Sequence, residues 1–159
     1  LNLSCMIMWI VFGAKCFAHI YAVSGAVDVV SGAILGLTAN RWLILLMSQL
    51  ILLLLGMFMD PMGILVIVCP VFLPIMTSLG FDLIWYGILF TINMEIGFVT
   101  PPFGFNLFYM KPLAEPYGIT MGAIYKSIIP FVLLGMVGLG LVIAFPQLAL
   151  WLPSAMISR

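Results

Sequence analysis

The sequence predicts an all-α membrane protein with a re-entrant helical hairpin and a discontinuous transmembrane helix. Its composition is 65% hydrophobic and 6% charged, whereas a soluble domain carries roughly 25% charged residues. A polar turn at Asp60 interrupts one long apolar run, and the adjacent prolines Pro101 and Pro102 interrupt another. Interruptions at membrane depth are tolerated only where they face protein or a water-filled cavity. They therefore indicate a transport or ion site rather than a simple bundle.

Length and charge narrow the protein class further. A spanning helix needs about 20 apolar residues, which allows about five or six membrane segments in this chain. The net charge is zero and no basic cluster occurs, so nucleic-acid binding has no electrostatic basis. The three cysteines are far apart and show neither metal-ligand spacing nor a disulfide framework.

The first two segments are a predicted span and a predicted interfacial helix. Residues 1–24 form the span, with Lys15 and His19 one helical turn apart on the same face. Pairing of these side chains with a carboxylate or carbonyl is favoured over a proton relay. Residues 25–40 predict an interfacial helix, because apolar residues recur there at helical spacing. These residues are Val27, Val30, Ile34 and Leu37.

Residues 41–80 predict a re-entrant hairpin. The run from Trp42 to Gly56 extends about 22 Å at about 1.5 Å per residue, which is less than the roughly 30 Å of a hydrocarbon core. The turn around Asp60 and Pro61 therefore lies inside the membrane if the helix starts at a Trp42 boundary. The alternative is a pair of tilted spans joined at a surface turn. The hairpin is favoured because Asp60 and the nearby glycines also suit an ion site.

Residues 82–111 predict a broken helix. Pro101 and Pro102 lack N–H groups, and their rings clash with the carbonyls of Gly97 and Phe98. The helix should therefore stop near Gly97, leave these carbonyls without helix partners, and restart near Phe103. Residues 112–127 predict a loop with an interfacial turn. Residues 128–146 predict the last span, whose sequence GMVGLGL contains glycines that permit close helix packing.

Four sequence blocks resemble a known transporter family. They are GMFMDPMGILVIVCPVFLPIM, LGFD, NMEIGFVTPPFGFNLF and FPQLALWLP. In this order they look like the second half of the large membrane subunit of the tripartite ATP-independent periplasmic (TRAP) transporters. The resemblance covers nearly the whole chain from Phe12 onward. It implies that the chain is one half of an inverted-repeat secondary transporter and a piece of a longer permease.

The resemblance also implies an activity and partners. The family imports organic anions such as dicarboxylates, sialic acids and oxo acids, is coupled to sodium, and is thought to work as an elevator. The implied partners are a small membrane subunit, an extracytoplasmic solute-binding protein, the N-terminal half of the same permease, the organic acid and the lipid bilayer. The implied location is the cytoplasmic membrane of a bacterium or archaeon. No covalent cofactor is expected, and sodium is the coupling ion.

The candidate ion site combines the hairpin tip with the helix break. Sodium prefers hard oxygen ligands, and the two interruptions would supply a carboxylate, carbonyls and a hydroxyl near the midplane. The predicted ion-binding residues are Asp60, Asn93, Gly97 and Thr100. The residues predicted to shape the site are Gly56, Pro61, Pro101, Pro102 and Gly104. For Thr100 a helix-capping role is the alternative, and Glu95 could pair with Lys15 or face the cavity.

Other function classes fit the sequence less well. An enzyme would need a nucleophile–base pair or a metal cluster, and the single histidine has no partner spacing. An ion channel also uses broken helices and remains an alternative. A structural subunit of a membrane complex is the other alternative, although it would not require a polar break opposite a polar hairpin tip.

Overall fold

The computed structural model describes residues 2–26, 29, 32, 36, 40–59, 61–101 and 104–157. These residues are almost entirely helical, and no strand occurs among them. The helices are α1 (Asn2–Val23), α2 (Arg41–Phe58), α3 (Pro61–Ser78), α4 (Leu83–Val99), α5 (Phe105–Ala114), α6 (Met121–Ala144) and α7 (Gln147–Ile157). A short 3₁₀ helix, Glu115–Tyr117, follows α5. The predicted all-α class is thus confirmed.

Within the described part of the chain, three helices are long and apolar enough to cross a membrane. They are α2 and α3, with 18 residues each, and α6, with 24 residues. Helix α4 is apolar but shorter, with 17 residues. At about 1.5 Å per residue, α2 and α3 are each about 27 Å long. This length suits either a hairpin or two spans, so the re-entrant hairpin stays a prediction.

The chain divides into two compact units. The first comprises Leu1–Ser48 and Met59–Leu83, and the second comprises Gln49–Phe58 and Ile84–Arg159. Helix α2 therefore contributes its first part to one unit and its last part to the other. Most of the predicted interfacial helix, including Val27, Val30, Ile34 and Leu37, lies outside the described residues.

In the first unit, helix α1 packs against α3. Helix α2 begins at a cap, because the Trp42 backbone N–H donates to Asn40 Oδ1 at 3.0 Å. The rings of Trp42 and Phe81 meet edge to face with centroids 5.6 Å apart, and the Arg41 guanidinium lies 5.7 Å from both centroids. Aromatic rings with a basic partner are typical of a membrane–water boundary, which was predicted at this point.

Helix α3 stops at a glycine that adopts a left-handed conformation. Gly80 has φ 75°, and its N–H donates to the Thr77 carbonyl at 3.0 Å. The Phe81 N–H donates to the Met76 carbonyl, also at 3.0 Å. This pair of bonds satisfies two carbonyls at the helix end, as in a Schellman motif.

Helix α4 is the central element of the second unit. On one side it contacts α6, since Trp85 Nε1 donates to the Val142 carbonyl at 2.9 Å and Ile96 lies against Gly135. Residue numbers rise along α4 as they fall along α6, so the two helices run antiparallel. Helix α5 also packs against α6, through a cluster of Leu107, Ala114 and Ile124.

Two predicted boundaries differ from the structure. Helix α5 continues to Ala114 rather than ending near Lys111, and Pro112 therefore lies inside its last turn. Helix α6 begins at Met121, well before the predicted start at Ile128. The left-handed Gly118, at φ 68°, separates the 3₁₀ turn from α6 and makes the connection shorter than predicted.

The glycines of α6 are not equivalent. A Cβ on Gly135 would lie 2.9 Å from Ile96 Cγ1, whereas one on Gly138 or Gly140 would meet no described atom within 4 Å. Close packing therefore involves one glycine of the GMVGLGL sequence among the described residues.

Candidate functional site

The predicted helix break is present in the second unit. Helix α4 ends at Val99 and α5 begins at Phe105. Gly104 precedes α5 with φ 49° and ψ 70°, a left-handed conformation that favours glycine. A Cβ on Gly104 would also lie 2.9 Å from Leu107 Cδ1. The break therefore needs a glycine at its end as well as prolines at its start.

The end of α4 closes with a tight turn. The Thr100 N–H donates to the Gly97 carbonyl at 3.1 Å, so the prediction that this carbonyl has no helix partner is wrong. Pro101, four residues after Gly97, has no N–H to donate to this carbonyl. The N–H of Thr100, three residues after Gly97, donates instead. The carbonyl still has a second lone pair that could accept a bond or bind a cation.

The Thr100 hydroxyl bonds backward rather than forward. Its Oγ1 donates to the Ile96 carbonyl at 2.6 Å, the four-residue pattern that serine and threonine adopt inside helices. The hydroxyl proton is thereby directed to the backbone, which leaves the oxygen lone pairs as acceptors. Thr100 thus has the polarity of a cation ligand, and its bond to the Ile96 carbonyl is not the forward bond of an N-cap.

Two glycines bring the backbones of α2 and α4 together. A Cβ on Gly97 would lie 2.9 Å from the Gly56 Cα and 3.0 Å from its carbonyl carbon. Both glycines are buried. Only a residue without a side chain permits this approach at position 97. The sequence singled out both positions, and the structure brings them into direct contact.

A buried amide pair joins the same two helices nearby. Asn93 is 1% exposed and Gln49 is 4% exposed. Asn93 Nδ2 donates to the Gln49 backbone carbonyl at 2.7 Å and to Gln49 Oε1 at 2.8 Å. Among the described residues, Asn93 Oδ1 and Gln49 Nε2 are buried without a hydrogen-bond partner. Asn93 therefore has an oxygen that is still available.

Sequence reasoning missed Gln49. A signal was present, because this glutamine lies inside the apolar run LILLMSQLILLLL, and polar residues within a span are functional candidates. Its partner could not be read from the sequence, since 44 positions separate Gln49 from Asn93.

The remaining predicted site residues are placed as follows. Asp60 and Pro102 lie outside the described residues. Pro61 is the first residue of α3, a position where its missing N–H costs no helix bond. Pro101 is half-buried in the turn after α4.

The charged or titratable side chains whose partners were left open are exposed. Glu95 is exposed on α4. In the other unit, Lys15 and His19 are exposed on α1.

Comparison with known families identifies the protein class. The family described as "Tripartite ATP-independent periplasmic transporter, DctM component" matches residues 1–148. The chain belongs to this family. The resemblance seen in the sequence blocks is thereby confirmed, and the family is one of transporter components.

Individual relatives support the assignment. The chain is 35% identical over 153 residues to the C4-dicarboxylate TRAP transporter large permease protein DctM of Pseudomonas aeruginosa, covering 96% of this chain and 35% of that protein. It is 38% identical over 112 residues to the isethionate TRAP transporter permease protein DctMQ of Oleidesulfovibrio alaskensis, covering 70% and 18%. It is 34% identical over 114 residues to the sialic acid TRAP transporter permease protein SiaT of Haemophilus influenzae, covering 72% and 18%.

The chain is a fragment relative to these proteins. It spans about a third of the length of the Pseudomonas permease and less than a fifth of the other two. The family and the three long apolar helices indicate a multi-pass membrane protein.

Proposed function

We propose that this chain is the C-terminal part of the large permease subunit of a sodium-coupled secondary transporter that imports organic anions. The observation that carries the proposal is the interruption between α4 and α5 in a chain of this family. Secondary transporters place coupling ions and substrates at discontinuous helices, where backbone carbonyls coordinate the cation.

The proposed ion site contains oxygens from the helix break. Asn93 supplies an amide oxygen, Gly97 the second lone pair of its carbonyl, and Thr100 a hydroxyl oxygen whose proton is held by the backbone. Asp60 supplies the carboxylate that neutralises the ion. A formal charge in an apolar environment is costly unless it is paired, which favours Asp60 as a cation partner.

The remaining proposed site residues shape the backbone. Gly56 presents the backbone that Gly97 approaches, and Gly104 accommodates the left-handed end of the break. Pro101 and Pro102 prevent α4 from continuing into α5. Pro61 starts α3 directly after Asp60, in the hairpin proposed for residues 41–80.

The proposed substrates are small organic acids. The three relatives are named for C4-dicarboxylates, isethionate and sialic acid, all of which carry an acidic group that is ionised at neutral pH. A sodium ion beside such an anion lowers the cost of bringing its charge into the membrane.

The proposed assembly has several parts. The remainder of the permease supplies the other inverted repeat, a small membrane subunit joins it, and an extracytoplasmic solute-binding protein delivers the acid. The proposed location is the cytoplasmic membrane of a bacterium or archaeon, and the proposed transport motion is an elevator movement.

Uptake by proteoliposomes tests this proposal. The full-length permease, its small membrane subunit and its binding protein are reconstituted, and uptake of radiolabelled succinate, isethionate and sialic acid is measured. A secondary transporter should accumulate one of them when an inward sodium gradient is imposed, and should stop when the gradient is collapsed. Downhill flux that ignores the sodium gradient would instead indicate a channel.

The role of Asp60 is tested in the same assay. Asp60→Asn should raise the half-saturating sodium concentration about tenfold or more, because the ion loses its neutralising carboxylate. Asp82→Asn is the matched control, since it removes the same charge from an exposed turn before α4. Equal sodium dependence in the two variants would remove Asp60 from the site.

A further inference from the structure

The buried Gln49–Asn93 pair has a definite orientation. Oxygen and nitrogen of a carboxamide are nearly isosteric, so their assignment depends on the hydrogen-bond network. Here the network includes the Gln49 backbone carbonyl, which can only accept and lies 2.7 Å from the Asn93 amide. The atom facing it must therefore be Nδ2, and Oδ1 of Asn93 must point elsewhere.

The orientation of Gln49 follows from that of Asn93. The second bond of Asn93 Nδ2, at 2.8 Å, requires an acceptor, which identifies the facing atom of Gln49 as Oε1. Gln49 Nε2 is then a donor and cannot bind a cation. The pair thus offers one unused oxygen within the described part of the chain, Oδ1 of Asn93.

We propose that Gln49 is a positioning residue that holds the Asn93 carboxamide with Oδ1 directed to the coupling cation. This inference rests on the proposed sodium-coupled function. The last torsion of an asparagine side chain is broad and roughly two-fold, so the carboxamide can rotate and present its NH₂ group. Rotation would break both bonds to Gln49 and direct a partial positive charge at the cation.

The location of the pair suits this role. Gln49 and Gly56 lie two turns apart on α2, and Asn93 and Gly97 lie one turn apart on α4. From the amide pair to the glycine contact, residue numbers increase along both helices, so these segments run parallel. The amide pair and the glycine contact therefore hold the same helix crossing, and Asn93 lies one turn before Gly97 on α4.

The side chain of Gln49 supplies one of the two bonds, so its loss should weaken sodium binding without abolishing it. A net hydrogen bond of ordinary strength corresponds to a change of about fivefold. Gln49→Met keeps the length of the side chain and removes the acceptor. We expect the half-saturating sodium concentration to rise about fivefold in this variant.

The measurement needs no identified substrate. The full-length permease with its membrane subunit is heated in sodium chloride at increasing concentration, with choline chloride keeping the ionic strength constant. The sodium-dependent rise of the unfolding midpoint gives the half-saturating concentration. Ser48→Ala is the matched control, because Ser48 is a buried polar neighbour on α2 that bonds the Leu45 carbonyl instead of Asn93. It should leave the sodium response unchanged.

A double variant separates positioning from packing. Asn93→Leu removes the proposed ligand, so adding Gln49→Met to it should produce no further change in the sodium response. If Gln49→Met does not fold, Gln49→Asn withdraws the acceptor by one methylene and should show the same fivefold rise.

The proposal is overturned if the Gln49 variants change the sodium-free midpoint but leave the half-saturating concentration at the parental value. The pair would then contribute only to packing, and the proposed transport function would stand. Failure of the proposed function has a different signature: the parental permease would show no stabilisation by sodium over choline.

Discussion

Replacing Gly97 by alanine should open the crossing between α2 and α4. The new Cβ would lie 2.9 Å from the Gly56 Cα, 3.0 Å from its carbonyl carbon and 3.3 Å from its carbonyl oxygen. All three are backbone atoms of a helix, so no side-chain rotation can relieve the clash. Overpacking of this kind lowers the free energy of unfolding by about 1–3 kcal/mol, because the two helices must move apart.

A second glycine of α4 provides the control. A Cβ on Gly87 meets no described atom within 4 Å. Both substitutions gain the same helix preference of alanine over glycine, about 0.5–1 kcal/mol. The difference between Gly97→Ala and Gly87→Ala therefore isolates the clash, and should be about 1–3 kcal/mol of unfolding free energy.

The same substitution at the partner glycine, Gly56, should have a smaller effect on stability. A Cβ on Gly56 would lie 3.4 Å from the Gly97 Cα and 3.4 Å from Met94 Cε, which is ordinary contact. Gly56→Ala should therefore be tolerated, although it alters the same crossing. The difference arises because each Cα–Cβ bond has its own direction on its helix.

Equilibrium unfolding of the full-length permease in mixed micelles measures these free energies. Sodium-driven uptake should fall in Gly97→Ala, since the Gly97 carbonyl moves with the backbone. Equal stability of Gly97→Ala and Gly87→Ala would show that the backbones of α2 and α4 are not in contact.

Three further changes test the break and the packing of α6. Gly104→Ala should destabilise the protein by about 1–2 kcal/mol in the same unfolding assay, because φ 49° is unfavourable for alanine; parental stability would argue against the left-handed turn. Pro101→Ala combined with Pro102→Ala should give a stable protein with no uptake, since two restored N–H donors favour a continuous helix. Uptake at the parental rate would show that transport does not need the break. Gly135→Ala should be about 1 kcal/mol less stable than Gly138→Ala, because only the former meets a side chain of α4 at 2.9 Å; equal stability would contradict this packing.

The membrane character and the position of the break were readable from the sequence. The apolar composition indicates that the helices lie in lipid. Adjacent prolines break helix hydrogen bonds only in their own turn and in the turn before it. Both effects are local, so no tertiary information was required to place the end of α4 near Gly97 and a restart near Phe103. The family blocks around Asp60 and Thr100 likewise depend on residue order alone.

The contacts that build the candidate site were decided by the tertiary structure. Gly56 and Gly97 were named separately, but only the packing of α2 on α4 brings them together. The Asn93–Gln49 bonds join residues 44 positions apart. Such contacts depend on which faces of two apolar helices meet, and a uniformly apolar helix carries no stripe that selects one face over another.

The hydrogen bonding of the Gly97 carbonyl also depends partly on the sequence and partly on the tertiary structure. The sequence alone determined that its usual donor, at position 101, is a proline. The conformation of the turn after Val99 determined that the Thr100 N–H takes that donor's place. Proline chemistry removes one bond by covalent structure, whereas the bond that replaces it depends on how the chain is held at both ends of the break.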